Sequence, residues 1–400
     1  MSGEKRQFAG AFLLNDQGEV LLQLRDQDPS IDNPGKVSVF GGSVEVGETY
    51  REGLLRELKE ELDLTIDVHQ LRFLGTISKT ENDVTTDCEF YFAEVGRFSS
   101  YTVQEGLGLV LPLSNSHLDP RLTPTCLAMV RELQFKQDYA LATGKSDTQR
   151  LNALASVYGD DSRTFVRNVI HDLSPQTIVE FGCGHGHMAL YFASLFPQAH
   201  IFAVDASIEQ LNAAHENQAR SNVENVSFLH TSETERLPLE VDIIFSRFVI
   251  IHQQDENAYL DTLKSFCSDK TIVVLIEPVL SGMIAVPHVD AVYLANQLTI
   301  ELGQSKGIDY GLGQRAIEAI TARFKIDEMK VFQPVLRSPT HKSIIARSFD
   351  HISEELVRRS LCTAETAAQV SQQLHNFVEN PDMACAGMQI VHLAGRLKGR

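Results

Sequence analysis

From about residue 149 onward, short apolar runs alternate with amphipathic stretches that are each long enough for a helix. The apolar runs are TIVEFG, AHIFAVD, VSFLH, VDIIFSR and TIVVLIEP. Runs separated in this way predict βαβ units, because parallel neighbouring strands need a crossover connection, usually a helix. This alternation constrains the fold more than any other feature. It predicts an α/β fold with a mainly parallel, doubly wound sheet over residues 149–400.

The first third of the chain has a different pattern, in which strands follow one another through short turns. FAGAFLL and EVLLQLR flank a DQG turn and predict a hairpin. Further strands are predicted at LRFLGTISK and CEFYFAEVG, followed by a helix over residues 123–137. Because 400 residues exceed one ordinary core, we predict domains over 1–140 and 149–400. A linker over 141–148, which contains ATGKSD, would join them.

Charge and cysteine content restrict the partners and the compartment. Acidic residues outnumber basic ones by 53 to 35, which gives a net charge of −18 and disfavours nucleic acid as a partner. The six cysteines are scattered without a CxxC pair, which argues against a disulfide framework or a zinc site. No apolar run approaches the roughly 20 residues that span a bilayer, and no secretory leader precedes the first strand. We therefore expect a cytoplasmic protein without membrane contact. The sequence does not indicate its oligomeric state.

The stretch GGSVEVGETYREGLLRELKEELDL, residues 41–64, predicts a glycine-rich loop followed by a helix over Tyr50–Leu62. Leucines at helical spacing form a buried stripe. Glu57, Glu60 and Glu61 share the adjacent face, because residues three and four apart are neighbours on a helix. Spacing alone leaves two interpretations open. The glutamates form either a solvated charged face or a set of oxygen ligands for Mg²⁺ or Mn²⁺.

The same stretch resembles the Nudix box, the signature of the Nudix hydrolases. The matching residues are Gly42, Glu48, Arg56, Glu57, Leu58, Glu60, Glu61 and Leu64. The resemblance extends over residues 5 to about 140 and implies an α/β/α sandwich that hydrolyses nucleoside diphosphates linked to another group. It also implies that Glu57, Glu60 and Glu61 bind Mg²⁺ (or Mn²⁺), that Glu48 supports the site, and that Arg56 holds a glutamate in place. Glu61 and Glu105 are both candidates for the general base. Glu105 could also be an ordinary acidic residue of a surface loop.

Asp63 departs from the family pattern, which usually has glycine at this position. Glycine is favoured at helix ends because it accepts a left-handed backbone, and Asp is among the residues that tolerate this conformation best. Helical geometry also turns Asp63 away from the three glutamates. We therefore predict a small cost in stability and an intact metal site.

A second glycine cluster, Gly182, Gly184 and Gly186, stands between the strand TIVEFG and the next helix. Such a turn lets the backbone approach a ligand closely and directs a helix N-terminus toward it. A dinucleotide-binding GxGxxG pattern would need glycine at position 187, where the chain has His187. The pattern is therefore GxGxG, and Asp205 ends the following strand.

The GxGxG turn and Asp205 resemble class I S-adenosylmethionine-dependent methyltransferases, as do FLHTSETERLP, VDIIFSRFVIIH and TIVVLIEP. The resemblance covers about residues 147–397 and implies a Rossmann-like doubly wound sheet, S-adenosylmethionine as cofactor, and methyl transfer to a small molecule. The cofactor-binding candidates are Glu180, Gly182, Gly184, Gly186, Asp205, Glu233 and Arg247. The candidates for contacts with the methyl acceptor are His252, Arg247, Tyr158 and His230, each of which also fits a structural role. Metal binding by His185 and His187 is not favoured, since no further Cys or His stands at ligand spacing.

Together the two resemblances imply a bifunctional enzyme that hydrolyses a nucleotide-type small molecule and methylates an acceptor. Three alternatives remain. The first domain could be a nucleotide-sensing module that regulates the methyltransferase, the chain could modify nucleic acid such as a cap, or both halves could bind their ligands without turnover. The hydrolase substrate, the methyl acceptor and any coupling of the two activities stay open.

Overall fold

The computed structural model describes residues 4–81, 84–98, 102–138, 147–238, 240–280, 282–310 and 313–398. The chain divides into two compact units, residues 1–138 and 139–400. Of the predicted linker, residues 141–146 lie outside the described ranges. Asp147 is buried and ion-paired with Arg150, and Thr148 begins a helix. Both residues therefore belong to the second unit, and the predicted domain limits remain predictions.

The first unit is built around one mixed sheet, with seven strands in the described part. Its elements are β1 (Glu4–Leu14), β2 (Glu19–Leu24), β3 (Val37–Ser38), β4 (Phe40–Ser43), α1 (Tyr50–Leu62), β5 (Arg72–Glu81), β6 (Val84–Glu94), β7 (Leu107–Pro112), α2 (Leu113–Ser116) and α3 (Pro124–Asp138). β1 pairs with β2 and β4 antiparallel and with β6 in parallel. The predicted hairpin is β1–β2, and the helix predicted over 123–137 corresponds to α3.

Helix α1 has the limits that the sequence predicts, for identifiable reasons. Thr49 and Glu52 form a capping box at its start. Leu54, Leu58 and Leu62 are fully buried, and they share a core with alternate residues of β1. The leucine stripe therefore holds α1 against one face of the sheet and presents the glutamate face beside β4. The predicted sandwich of helices and sheet is confirmed.

The second unit contains the alternating elements that the apolar runs predict. They are α4 (Thr148–Ile170), β8 (Thr177–Phe181), α5 (His187–Leu195), β9 (His200–Asp205), α6 (Ile208–Ala219), β10 (Val226–His230), β11 (Ile243–Arg247), α7 (Glu256–Ser265), β12 (Ile272–Val279), β13 (Ile284–Val286), α8 (Asp290–Ser305), α9 (Gly313–Arg323), β14 (Phe324–Phe332), β15 (Val335–Leu336), α10 (Pro339–Arg358), α11 (Ala364–Glu379), β16 (Ala384–Ala386) and β17 (Gln389–Leu397).

The main sheet of this unit has the order β10-β9-β8-β11-β12-β17-β14. Strands β8 to β12 are parallel, and β17 is antiparallel to both of its neighbours. Adjacent residues of one strand, such as Ile178 and Val179, belong to two different apolar cores. The sheet is therefore buried on both faces, which explains its continuous apolar strands. The predicted doubly wound α/β fold is confirmed.

Helices α8, α10 and α11 share a third core, which includes Leu298, Phe349 and Phe377. The ammonium group of Lys342, on α10, is enclosed in this region and donates to the carbonyl oxygens of Phe377, Asn380 and Met383 at 2.9, 2.5 and 3.1 Å. These carbonyls lie in the last turn of α11 and in the chain that follows it, where a cation satisfies acceptors that the helix leaves open. Burial lowers the pKa of Lys342 from its ordinary value.

Within the described parts of the chain, no helix combines the length and the apolar character that crossing a membrane requires.

Candidate functional site

The three glutamates of α1 do not share one environment. The side chain of Glu57 is 17% exposed and that of Glu60 is 61% exposed, whereas Glu61 is buried. Glu57 and Glu61 are close enough for their charges to interact, and Glu105 adds its charge from the loop before β7. The structure therefore places Glu61 near both Glu57 and Glu105, with Glu60 toward solvent.

Arg56 connects the glutamates. Its guanidinium donates to Glu48 Oε1 at 3.0 Å, to Glu57 Oε1 at 2.8 Å and to Glu60 Oε2 at 3.4 Å, and also to the Ser43 carbonyl oxygen at 2.9 Å. These bonds raise the pKa of Arg56 and lower the pKa of Glu48. Arg56 thus contacts the residues that the resemblance assigns to it, while its role as a holder of the site stays a prediction.

Glu61 is fixed by groups that the sequence analysis did not identify. Gln23 Nε2, from β2, donates to Glu61 Oε1 at 3.1 Å, and the Gly41 N–H donates to Oε2 at 2.9 Å. Burial raises the pKa of Glu61 to about 7, and the charges of Glu105 and Glu57 act in the same direction. The polar Gln23 between the leucines of EVLLQLR was the available signal, because a buried polar side chain needs a partner.

The glycines of the preceding loop make room for this arrangement. A Cβ on Gly42 would lie 2.4 Å from the Glu57 carboxylate, and one on Gly41 would lie 2.2 Å from the Ala9 carbonyl oxygen. Gly41 also has a φ of 135°, which side chains with a Cβ rarely adopt. The two glycines therefore allow the loop, β1 and the acidic face of α1 to approach one another.

The donor set fits a hard divalent cation. It consists of carboxylate oxygens, which Mg²⁺ and Mn²⁺ prefer, and it includes a buried acid that other acids repel. Among the described residues, however, no three His, Cys, Asp or Glu side chains stand close enough to hold a metal ion. Metal binding by Glu57, Glu60 and Glu61 therefore stays a proposal.

Asp63 adopts the conformation that the sequence predicts for it. Its φ is 50°, in the left-handed region, and its N–H donates to the Lys59 carbonyl oxygen at 3.1 Å. The next residue, Leu64, donates to the Leu58 carbonyl oxygen at 3.2 Å. The Asp63 side chain is exposed and pairs with Lys59. This pattern closes the helix as glycine would, and the prediction that Asp63 faces away from the acidic site is confirmed.

In the second unit, Gly182, Gly184 and Gly186 all have left-handed φ angles, 73°, 51° and 75°. A Cβ on Gly182 would lie 2.2 Å from Val249, and one on Gly186 would lie 2.7 Å from Phe228. A Cβ on Gly184 would have nothing within 4 Å. Packing thus accounts for the outer two glycines, whereas Gly184 presents bare backbone to open space at the carboxyl edge of the sheet.

Two buried carboxylates flank this turn. Asp205 Oδ2 accepts the Gly184 N–H at 2.7 Å, and Asp205 Oδ1 accepts the Ser207 N–H at 2.9 Å. Glu180 lies at the end of β8, and its Oε2 atom is buried without a hydrogen-bond partner among the described residues. Burial raises the pKa of both acids, that of Glu180 to about 8. An unsatisfied buried carboxyl group near a glycine turn fits a ligand with cationic groups, as S-adenosylmethionine has, because a bound cation would stabilise its ionised form.

Arg247 and Glu233 occupy different surroundings. Arg247 ends β11 and is half-buried near Glu180, whose charge opposes the lowering of the Arg247 pKa by burial. Glu233 Oε2 accepts the His230 N–H at 3.1 Å, and Arg236 donates to its other oxygen at 2.5 Å. Glu233 therefore caps the turn after β10, and cofactor contact by either residue stays a prediction.

The four acceptor-contact candidates lie in three different surroundings. Tyr158 and His252 line one cavity beside the ends of β11 and β12. Arg247 interacts with Glu180, and its guanidinium lies over the Phe248 ring. The ring of His230 bonds to the Ala206 carbonyl oxygen at 3.0 Å and to Ser232, which indicates a structural role.

Comparison with known proteins assigns the two units to families. The NUDIX domain model matches residues 4–104, and a methyltransferase domain model matches residues 173–311. The chain carries a Nudix domain and a methyltransferase domain. Both resemblances inferred from the sequence are thereby confirmed at the level of the family.

Individual relatives match only parts of the chain. A Nudix hydrolase of Deinococcus radiodurans is 37% identical over 84 residues, 21% of this chain and 48% of that protein. A malonyl-[acyl-carrier protein] O-methyltransferase of Bacillus anthracis is 41% identical over 71 residues, 17% of this chain and 25% of that protein. This chain therefore spans about half of the first relative and a quarter of the second. The crystal structure of YcgJ from Bacillus subtilis is similar at a TM-score of 0.41 and 16% identity, covering 60% of this chain and 99% of that one.

Glu180 should make the stability of the methyltransferase domain depend on pH. Its pKa of about 8 in the folded protein exceeds the ordinary value of 4.5, so folding favours the protonated acid. The stabilisation that protonated Glu180 contributes is therefore fully present below about pH 4.5. It is lost as the pH rises through about 8, by on the order of 4 kcal/mol. Glu180→Gln lacks this titration. The difference in free energy of unfolding, wild type minus variant, should become more negative by that amount between about pH 5 and pH 9.

Urea unfolding of the full chain, followed by circular dichroism without S-adenosylmethionine, measures this difference. Subtracting the variant curve removes contributions common to both proteins, including those of the Nudix domain. Glu224→Gln, at an exposed position, serves as the control. If the difference in free energy of unfolding between the wild type and Glu180→Gln stayed constant over this pH range, the raised pKa of Glu180 would be contradicted.

Proposed function

We propose that the chain is a bifunctional enzyme. The Nudix domain would hydrolyse a nucleoside-diphosphate-linked small molecule with Mg²⁺ or Mn²⁺, and the methyltransferase domain would methylate a small-molecule acceptor with S-adenosylmethionine. The observation that carries the hydrolase assignment is the buried carboxylate of Glu61 held beside Glu57 and Glu105. For the methyltransferase it is the open backbone of Gly184, whose N–H donates to Asp205.

In the Nudix domain, Glu57, Glu60 and Glu61 would hold the metal ion. When bound, the ion offsets charge on the phosphate oxygens and lowers the pKa of a coordinated water. Arg56 positions Glu48 and Glu57 through its hydrogen bonds, and Gln23 and the Gly41 N–H orient Glu61. Glu61 and Glu105 both remain candidates for the group that collects the proton of the attacking water. The loop of Glu105 is tied to α1, because the Gln104 N–H donates to the Glu61 carbonyl oxygen at 2.7 Å.

In the methyltransferase domain, Gly184, Asp205 and Glu180 would hold the cofactor. When bound, S-adenosylmethionine would supply an electrophilic methyl carbon for transfer to a nucleophilic atom of the acceptor. The chain's own contribution is to orient the acceptor in line with that carbon. Glu180, with its unpaired oxygen, would face a cationic group of the cofactor. Asp205, at the end of β9, would accept hydrogen bonds from the ribose hydroxyls of the cofactor.

One experiment tests both activities. The full chain is incubated with labelled S-adenosylmethionine, a panel of nucleoside-diphosphate-linked metabolites and a cell extract, with Mg²⁺ or with chelator. Mass spectrometry should identify a phosphate product that requires Mg²⁺ and a metabolite that gains a methyl group. Nucleotide binding without cleavage would favour a sensing role for the Nudix domain. Cofactor binding without transfer to any component would favour a domain that binds its ligand without turnover.

Substitution of Gly184 by alanine tests the cofactor site. The added Cβ has nothing within 4 Å, so the domain should stay folded apart from a backbone cost of about 1–2 kcal/mol. We expect the affinity for S-adenosylmethionine to fall at least about tenfold, which corresponds to about 1.4 kcal/mol. Isothermal titration calorimetry measures the affinity.

Gly18→Ala is the matched control, because Gly18 has a φ of 74° and nothing within 4 Å of its Cβ position, but lies in the Nudix domain. It reproduces the backbone cost without touching the glycine turn. If Gly184→Ala bound the cofactor as tightly as Gly18→Ala, the open space beside Gly184 would not be the cofactor site.

A further inference from the structure

The methyltransferase domain contains a cavity of about 140 Å³ beside the ends of β11 and β12. Helices α4, α8 and α10 enclose it together with the segment that follows β11. Most of its surface is aliphatic or aromatic carbon. Representative lining residues are Leu154, Leu280, Leu336, Ile344, Phe349 and Ile352.

The polar groups of the lining carry little net charge. Arg150 is the charged residue among the described residues of the lining, and its guanidinium donates to both Asp147 oxygens at 2.7 and 2.5 Å. Burial lowers the pKa of His252 to about 3, so its imidazole is neutral at physiological pH. The Tyr158 hydroxyl accepts the Met388 N–H at 3.1 Å. No Asp or Glu occurs among these described lining residues, so the cavity offers no carboxylate to a cationic ligand.

The cavity adjoins the glycine turn through one short segment, residues 248–252. Phe248 and His252 line the cavity, and Val249 between them packs against Gly182. The Glu277 carboxylate holds this segment by accepting the N–H groups of Val249, Ile250 and Ile251 at 3.1 to 3.3 Å. The same short segment therefore contacts both the proposed cofactor turn and the cavity.

Phe248 itself has a left-handed φ of 61°. Such a conformation costs on the order of 1–3 kcal/mol in a bulky residue and persists at sites where the surroundings impose it. Its ring packs edge-on against Tyr158, with 5.9 Å between centroids. The strained backbone therefore directs an aromatic ring into the cavity wall next to the glycine turn.

We propose that this cavity binds the methyl acceptor, and that the acceptor is an uncharged, mainly apolar molecule about as wide as one six-membered ring. The inference rests on the proposed methyl transfer and specifies its substrate class. The size follows from the volume, since a cavity of roughly 150 Å³ lined by apolar side chains accommodates benzene. The selectivity follows from the lining, because a buried cation without a partner is strongly disfavoured.

Two single-ring probes of similar shape and opposite prediction test the inference. 4-Fluorophenol is uncharged at neutral pH, whereas 4-fluorobenzylammonium is a cation. ¹⁹F NMR line broadening with the full chain measures their binding. We expect 4-fluorophenol to bind at least tenfold more tightly than the cation, and Thr299→Phe, which places a ring in the cavity from α8, to abolish its binding.

The matched control is Gln297→Phe, the same introduced side chain at an exposed position of α8, which should leave 4-fluorophenol binding unchanged. Circular dichroism and calorimetry with S-adenosylmethionine confirm that both variants are folded. Equal binding of the two probes, or 4-fluorophenol binding that survives Thr299→Phe, would overturn the inference.

Calorimetry of the wild type separates failure of this inference from failure of the proposed function. If S-adenosylmethionine binds and 4-fluorophenol does not, the inference on the cavity is wrong and methyl transfer still stands. If 4-fluorophenol binds and S-adenosylmethionine does not, methyl transfer fails and the cavity is no acceptor site.

Discussion

Glutamine in place of Glu57 should lower Mg²⁺-dependent hydrolysis by at least about 100-fold, since even residues that only support metal ligands cost 10–100-fold when changed. Glu57 is enclosed between Gly42 and Arg56, and its Oε1 accepts from Arg56 at 2.8 Å. The amide has the same shape, so the loop packing and the hydrogen bond to Arg56 can persist. The charge that a divalent ion needs is lost. Product release from a panel of nucleoside-diphosphate-linked compounds at several Mg²⁺ concentrations measures the effect.

Glu45→Gln is the control for this substitution. Glu45 is an exposed acid of the same loop. Its backbone forms its hydrogen bonds with Glu48: the Glu45 N–H donates to Glu48 Oε2 at 2.9 Å, and the Glu45 carbonyl oxygen accepts the Glu48 N–H at 3.1 Å. The Glu45→Gln substitution removes one negative charge from the same region and leaves the helix face that carries Glu57 unchanged. Retained hydrolysis in Glu57→Gln, or an equal loss in Glu45→Gln, would show that Glu57 is not a metal ligand.

Methionine in place of Lys342 should lower the free energy of unfolding by about 3 kcal/mol or more. The substitution keeps most of the side-chain volume but leaves the carbonyl oxygens of Phe377, Asn380 and Met383 without their donor. Each buried acceptor left unsatisfied costs about 1–3 kcal/mol, and removal of a buried cation recovers part of that loss. Urea unfolding followed by circular dichroism measures the change.

Lys325→Met provides the comparison, because Lys325 is a largely exposed lysine on β14. Its replacement should change the free energy of unfolding by less than about 0.5 kcal/mol. If Lys342→Met were as mild as Lys325→Met, the ammonium group of Lys342 would not hold the end of α11. If Lys342→Met failed to fold, the milder Lys342→Arg should still fold with reduced stability, since it retains a donor in an imperfect geometry.

Local patterns predicted much of the architecture. The limits of α1 follow from the Thr49–Glu52 capping box and from leucines at helical spacing. The parallel sheet follows from apolar strands separated by helices, and the glycine turn lies where it was expected. The stretches QRLNALASVY and SRTFVRNVIHDL predict two helices before β8, whereas the structure has the single helix α4. Gly159 lies inside it at a buried position and does not interrupt it.

The features that the sequence did not predict depend on contacts between residues far apart in the chain. Helical spacing places Glu57, Glu60 and Glu61 on one face. It does not predict that Glu61 is buried and hydrogen-bonded to Gln23 while Glu60 faces solvent. The proposed acceptor cavity combines α4 with α8 and α10, which are more than a hundred residues away along the chain. No spacing rule predicts that packing. Likewise, the left-handed Phe248 has no local signal, since the surrounding fold imposes it.

The helix end at Asp63 has a consequence for motif searches that look for proteins with this acidic helix. Its φ of 50° and the bonds to Lys59 and Leu58 show that the position requires a backbone conformation rather than a particular residue. Asn and Asp satisfy that requirement at modest cost. A motif search that insists on glycine there would discard proteins whose acidic face is intact. A search that accepts any residue able to adopt the left-handed conformation would keep them.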